Sequence, residues 1–272
     1  MKTNLFQFLM ITIVLLSACK KESSSQQSIT VPPVSYIKNI SIADTNGLII
    51  LQNIHYYDSL HRLIKISEQH YGNQDTVPFT YILNYSAARV TLEEFIDTFS
   101  FYSMKITYNL NSSGLVESSS TVQYASLTDS SILTTDTYQY NSDGYLISQV
   151  TTAPGGEPGT VSYHYSNLNV DYLTLSPTSS DSKQLFFYDI SHFNSINNVN
   201  GGIQFLGKSG YNPVITMRME SPATLLITYS YTYDQMSRIN RMSLNGTFGL
   251  PTLSWIIVPI VSSHQVITYT YY

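Results

Sequence analysis

From Leu225 to Tyr233 the chain alternates: Leu225, Ile227, Tyr229, Tyr231 and Tyr233 take every second position, with Leu226, Thr228, Ser230 and Thr232 between them. A period of two sends the two sets to opposite faces of an extended strand. Asp234 to Ser237 break the alternation with turn-prone residues and Arg238 to Leu244 resume it, which predicts strand, tight turn and returning strand. The phrase recurs at His55–Asp58 before Arg62–Ile64, at Tyr81–Tyr85 before Arg89, at Ile106–Leu110 before Asn111–Gly114, at Thr137–Tyr140 before Asn141–Gly144, at Val161–Tyr165 and at Val266–Tyr271. The last residues before the first turns, at 57, 85, 110, 140 and 165, lie 28, 25, 30 and 25 residues apart. Two strands of about ten residues with two short connections fill that length, so one repeat is one hairpin.

Extended along the chain, the pattern gives about fourteen to sixteen strands and no amphipathic helix. Val34–Ile42 comes first, then Gly47–Tyr57 with Arg62–His70, Phe79–Tyr85 with Arg89–Ile96, Phe101–Leu110 with Leu115–Tyr124, and Ser131–Tyr140 with Tyr145–Thr151. Hairpins joined by short turns pair with their neighbours. The fold class is therefore all-β, an antiparallel meander of repeated hairpins curled into a barrel-like or two-layer sheet, since its edges must be closed or covered. Residues 177–223 are turn-rich and predict an irregular excursion anchored by Phe186, Phe187, Phe193, Phe205 and Leu206. Leu253–Val261, apolar at nearly every position, predicts a strand buried on both faces. Gly144, in the tight turn Asn141–Gly144, calls for a positive φ, and valine is expected to be worse there than at Gly155 in a longer loop.

The pattern Tyr-x-Tyr-Asp, a short turn, then Gly or Arg followed by Leu, carried at Tyr57-Asp58, Tyr188-Asp189 and Tyr233-Asp234, resembles the YD repeat of Rhs-type and teneurin-type proteins. With the N-terminal features below, the chain resembles a family of Bacteroidota lipoproteins of unassigned function that carries degenerate repeats of this kind and is described as porin-like in fold. The resemblance covers about residues 48 to 272, interrupted between 177 and 223, and implies no catalytic residues.

Lys2 followed by the charge-free apolar run Leu5–Leu16 reads as an export signal too short to span a bilayer. Leu16-Ser17-Ala18-Cys19 resembles the bacterial lipobox, which implies cleavage after Ala18 and acylation of Cys19, the only cysteine in the chain. Residues 1–18 are thus read as a lipoprotein signal peptide, 19–32 as a flexible tether, and 33–272 as a single all-β domain containing the excursion. The membrane is the expected partner, reached through the lipid anchor, and the expected location is the cell envelope at the outer membrane.

The mature chain keeps 12 of the 13 Lys and Arg residues, Lys2 being lost, against 18 Asp and Glu, and has no basic stripe for nucleic acid. Charged residues make up only 11% of the chain while tyrosines number 23, so Ser, Thr, Asn and Gln must supply most of the polar face. The six histidines show no metal-motif spacing; His55, Asp58 and His61 share one turn and read as solvated polar groups. Glu93 and Glu94 are adjacent, so a strand sends them to opposite faces and not into one cleft. The tyrosine rows read as the sheet's own core or cross-strand ladder in preference to sugar-stacking platforms. No cofactor and no metal site is expected. The expected function is that of a non-enzymatic cell-envelope lipoprotein, a binding or structural module toward a glycan or another envelope protein. Its ligand loop would carry Tyr188, His192, Phe193, Asn194 and Tyr211, the equal alternative for that segment being a plug or cover. The alternative function is a porin-like membrane β-barrel, and a glycan-active enzyme is a third. Tyrosines at mid-strand, where a membrane barrel confines aromatics to girdles, speak for an aqueous setting.

Overall fold

Residues that alternate apolar with hydrogen-bonding side chains, punctuated by Asp, Asn and Gly, form strands at nearly every point where the pattern predicts them. The structure, a computed structural model, describes residues 36–71, 76–96, 102–126, 128–176, 182–188, 204–206, 212–220, 225–248 and 264–272. Its strands are β1 (Ile37–Ala43), β2 (Ile49–Tyr57), β3 (Leu63–Tyr71), β4 (Thr76–Tyr85), β5 (Arg89–Ile96), β6 (Tyr102–Leu110), β7 (Val116–Tyr124) and β8 (Ser130–Tyr140). They continue with β9 (Leu146–Thr152), β10 (Gly159–Ser166), β11 (Asn169–Ser176), β12 (Ser182–Tyr188), β13 (Val214–Glu220), β14 (Leu225–Tyr233), β15 (Ile239–Phe248) and β16 (His264–Tyr271). Among the described residues the one helical element is a single 3-10 turn, Gln204–Leu206.

Each strand pairs antiparallel with the next, and β1 also pairs with β16, with Ile40 opposite Tyr269 and Ile42 opposite Ile267. The sixteen strands therefore close into one barrel. Closure leaves no strand edge to pair with another chain, which decides between the two curled forms the meander allowed.

The register sorts every strand into an inner and an outer face. Tyr229, Tyr231 and Tyr233 stand opposite Leu244, Met242 and Ile239 on the inner face, while Thr228, Ser230 and Thr232 stand opposite Asn245, Ser243 and Arg241 on the outer one. Around the whole ring the inner face carries the Tyr, Leu, Ile, Val and Met side chains that bury together.

Turns at one end repeat a single device. The side-chain oxygen of Asp58, Asn111, Asn141 or Asp234 accepts the backbone N–H two and four residues on, at 2.9–3.1 Å. The residue between those two donors has positive φ: His61 60°, Gly114 76°, Gly144 83°, Ser237 59°. An acceptor side chain that bends back on its own turn is what Asp and Asn supply here.

The predicted excursion at 177–223 is shorter than the pattern suggested, because β12 and β13 lie within it and pair with each other. Between β12 and β13 the described residues are the 3-10 turn Gln204–Leu206 and residues 212–213. Phe186 is buried inside β12, whereas Phe187, expected as a buried anchor, is 48% exposed on the outer face because adjacent strand residues alternate. Phe193, the Leu253–Val261 stretch, the signal, Cys19 and the tether lie outside the described residues.

Candidate functional site in the barrel interior

The inner wall has a built rim at the end where Asp58, Asn111, Asn141 and Asp234 turn the chain. There every odd-numbered strand begins with a buried aliphatic residue: Ile37, Leu63, Val90, Val116, Leu146, Val170, Val214 and Ile239, all at 9% exposure or less. A tyrosine near the end of the following even strand donates its hydroxyl to that residue's carbonyl. Tyr85 bonds Leu63 at 2.9 Å, Tyr165 bonds Leu146 at 2.8 Å and Tyr188 bonds Val170 at 2.6 Å, and Tyr231 and Tyr271 make the same bond to Val214 and Ile239. Arg62 and Arg238, each paired with the aspartate of its own turn, lie over the rings of Tyr85 and Tyr271 at 4.6 and 4.3 Å. These five tyrosines are thus clips between successive hairpins, their hydroxyls occupied by backbone, whereas Tyr81 and Tyr138 bond side chains.

Across this rim lies part of the 189–213 connection. Phe205 is buried at 7% exposure against Val90, Met104, Tyr108 and Val116, with Tyr85 and Leu206 packed alongside. In the ring order those residues belong to strands on the side opposite β12 and β13. Near its return the connection is fixed again, where Asn169 and Asn212 exchange side-chain and backbone bonds of 2.8–3.0 Å. Residues 204–206 are thus anchored on the inner wall, and Asn212 ties the start of β13 to β11.

Two polar islands interrupt the apolar wall. In the first, Asp136 accepts hydrogen bonds from Ser119 (3.0 Å), Gln149 (3.1 Å) and Thr151 (2.5 Å), so each carboxylate oxygen is satisfied. The second lies on β2–β5. Glu68, 1% exposed, contacts His70 Nε2 with one oxygen, and that oxygen also accepts from Tyr81 at 3.3 Å. Its other oxygen, Oε2, is buried with no hydrogen-bond partner, and so are Asn53 Oδ1 and His55 Nε2. Asn53 is 4% exposed and stands directly opposite Glu68 in the register, with His55 two residues along. Burial pushes the His55 imidazole down to about 4, which keeps it neutral near pH 7. Glu94, opposite Tyr81, is raised by burial, against the hydrogen bonds of Ser103 and Tyr81 and with the added repulsion of Glu68.

Among the residues expected to carry function, Tyr188 is a clip in the wall, bonded to Val170. His192, Phe193, Asn194 and Tyr211 lie outside the described residues, as does Cys19. His55, Asp58 and His61 do not converge: His55 points inward, Asp58 caps its turn, and His61 Nδ1 lies 2.9 Å from the Tyr36 hydroxyl. Glu93 and Glu94 part as the pleat requires, Glu93 pairing outward with Lys105 at 2.7 Å. Asn53, Glu68, Asp136 and Gln149 were not singled out in sequence. The signal available was a hydrogen-bonding residue in the apolar phase of its strand, as where Asn53 follows Leu51.

The outer face is made of Ser, Thr, Asn, Gln and charged groups, with Lys65 and Arg241 toward strand starts and Glu93, Lys105 and Arg218 nearer mid-strand. Exposed apolar residues on it are dispersed over different strands, among them Ile54, Ile132, Phe187 and Leu226. In comparisons with known proteins, no family model and no curated protein matches this chain. Its fold is similar to that of a porin-like protein from Bacteroides uniformis ATCC 8492, at 14% identity and a TM-score of 0.60 over 88% of this chain and 99% of that one. A porin-like protein from Bacteroides vulgatus ATCC 8482 also matches, at 11% identity and a TM-score of 0.49 over 87% of this chain and 99% of that one. The closed sixteen-stranded ring and this likeness correct the expected function: they favour the porin-like β-barrel over a soluble lipoprotein binding module. The reason the sequence misled is physical. The mid-strand tyrosines taken as marks of a wetted surface point into the barrel, so they say nothing about what surrounds it.

Proposed function

We propose that the protein works as a porin-like β-barrel at the outer membrane, held there by acyl chains on Cys19. The observation that carries this reading is the closure of all sixteen strands into one ring, the architecture shared with the porin-like protein from Bacteroides uniformis. The outward face bears on how the barrel meets the membrane. A barrel inserted in lipid turns an apolar band about 25 Å tall outward, and an Arg or Lys at its midplane costs about 2–4 kcal/mol. Here the outward positions nearer mid-strand include Arg218 and the Lys105–Glu93 pair. Charges at such positions oppose full insertion of the wall there, and acyl chains on Cys19 add an attachment of their own, each buried methylene contributing about 0.8 kcal/mol. No catalytic step belongs to this reading.

Replacing the native signal with a non-lipidated secretion signal and making Cys19→Ala tests it. The expected variant is exported, keeps its β-structure by circular dichroism and is released by carbonate, whereas the native form stays with the outer membrane and incorporates a palmitate analogue. A variant retained in the membrane through carbonate would place the wall in lipid, and label retained without Cys19 would remove the anchor.

A further inference from the structure

We propose that the inner wall of β2–β4 binds a primary ammonium group of a small amine, held by Asn53 Oδ1, Glu68 Oε2 and His55 Nε2 beside the rings of Phe79 and Tyr81. The inference is independent of how the barrel meets the membrane.

A buried polar atom that makes no hydrogen bond costs about 1–3 kcal/mol, more when charged. Three such atoms on neighbouring inward positions of two strands are therefore a concentration of unmet hydrogen-bonding capacity in one place. Directly opposed residues of an antiparallel pair have Cβ atoms about 4.5–5.5 Å apart, so Asn53 and Glu68 can meet one small group. The first two atoms are acceptors, and the neutral imidazole has one acceptor nitrogen. The matching ligand must donate several hydrogen bonds. An ammonium group donates three and accepts none.

Charge points the same way. Glu68 and Glu94 both approach the Tyr81 hydroxyl, and the Glu68 carboxylate adds to the burial that raises Glu94, which is the field that attracts a cation. Phe79 is the register partner of Glu68 on β4, and His70 packs on its ring at 4.9 Å. Aromatic faces attract a desolvated cation through the negative face of the ring. A metal ion fits less well, because among the described residues no group of three His, Cys, Asp or Glu side chains is arranged to hold one. His70, whose side chain is 31% exposed, follows Glu68 toward the barrel end away from the tyrosine rim, so that end is the solvent-facing side of the site.

The test uses the full-length chain in detergent, titrated by calorimetry with methylammonium chloride, tetramethylammonium chloride and zinc chloride at matched ionic strength. Methylammonium is expected to bind and tetramethylammonium, which has no N–H, is not. Glu68→Gln is expected to weaken methylammonium at least tenfold, while Ser67→Ala, one residue away on the outer face, leaves it unchanged. If Glu68→Gln does not fold by circular dichroism, Asn53→Ala takes its place with the same expectation. Absence of methylammonium binding by the native chain overturns the proposal. So do equal binding of tetramethylammonium, undiminished affinity in the folded variant, and binding of zinc alone.

Discussion

At the scale of single residues, the turns show how little of the chain specifies a hairpin. In the β8–β9 turn, Asn141 Oδ1 satisfies the N–H groups of Asp143 and Tyr145, and Gly144 carries the left-handed φ of 83°. Asn141→Ala removes both acceptor contacts and is expected to cost about 1–2 kcal/mol, read as a lower denaturant midpoint at unchanged slope. The β14–β15 turn has the same form with Ser237 in the left-handed position at φ 59°. A residue with a Cβ costs about 1–2 kcal/mol there and glycine avoids that, less its entropy, so Ser237→Gly is expected to stabilise by about 0.5–1 kcal/mol. Turns written Asn-x-x-Gly were legible in sequence, because glycine announces the conformation. His61 and Ser237 hold it without that signal, so their turns were legible only through Asp58 and Asp234. The expected contrast between Gly144 and Gly155 does not survive: Gly155 has φ 70°, so valine is strained at both.

At the scale of elements, the strands were legible and their purpose was not. Alternation located β14 and β15 because one face is apolar, yet alternation is the same whether that face looks into a barrel or across a sandwich. What the repeat conserves physically is a pair, the buried aliphatic that starts an odd strand and the tyrosine that bonds its carbonyl from the next strand. Tyr231→Phe leaves the ring in place and strands the Val214 carbonyl, for an expected loss of about 1–2 kcal/mol by chemical denaturation. The connection between β12 and β13 makes a different demand. Turn-rich composition marked the stretch as a whole, and β12 and β13 were hidden inside it because Ser182–Tyr188 and Val214–Glu220 alternate weakly, Tyr188 being the one mark of the repeat that they carry. Phe205 is buried against the opposite wall, so Phe205→Ala is expected to cost about 3–5 kcal/mol, as emptying a core site does, and not the near-zero effect of truncating a surface loop. An unchanged melting temperature would show that Phe205 does not anchor this wall.

For the whole molecule, the decisive fact is a pairing between strands at the two extremes of the sequence. Nothing in the local pattern of Ile37–Ala43 or His264–Tyr271 says that they meet, since an apolar phase is common to all sixteen strands and a meander can end in two open edges. The interior was equally hidden, because Asn53 and Glu68 become neighbours only through the β2–β3 register, and the 17 Å or so of a strand's length separates their island from the rim. Closure can be tested on the outer face, where Ser41 and Thr268 are Cα partners across the β1–β16 seam. Directly opposed residues on one face have Cβ atoms about 4.5–5.5 Å apart, so a small local adjustment brings them into the roughly 3.5–4.5 Å that a disulfide needs. Ser41→Cys with Thr268→Cys, made with Cys19→Ala so that no native thiol competes, is expected to oxidise to an intramolecular disulfide without altering the circular dichroism. The bridge ties the ends of nearly the whole domain, for an expected gain of about 2–4 kcal/mol that reduction abolishes. In an open sheet the two thiols would sit on distant edges, and alkylation would find both free under the same oxidation, with intermolecular dimers the main product. Quantitative closure at low protein concentration, scored by faster migration without reductant, is the result that only a barrel sealed between its first and last strands produces.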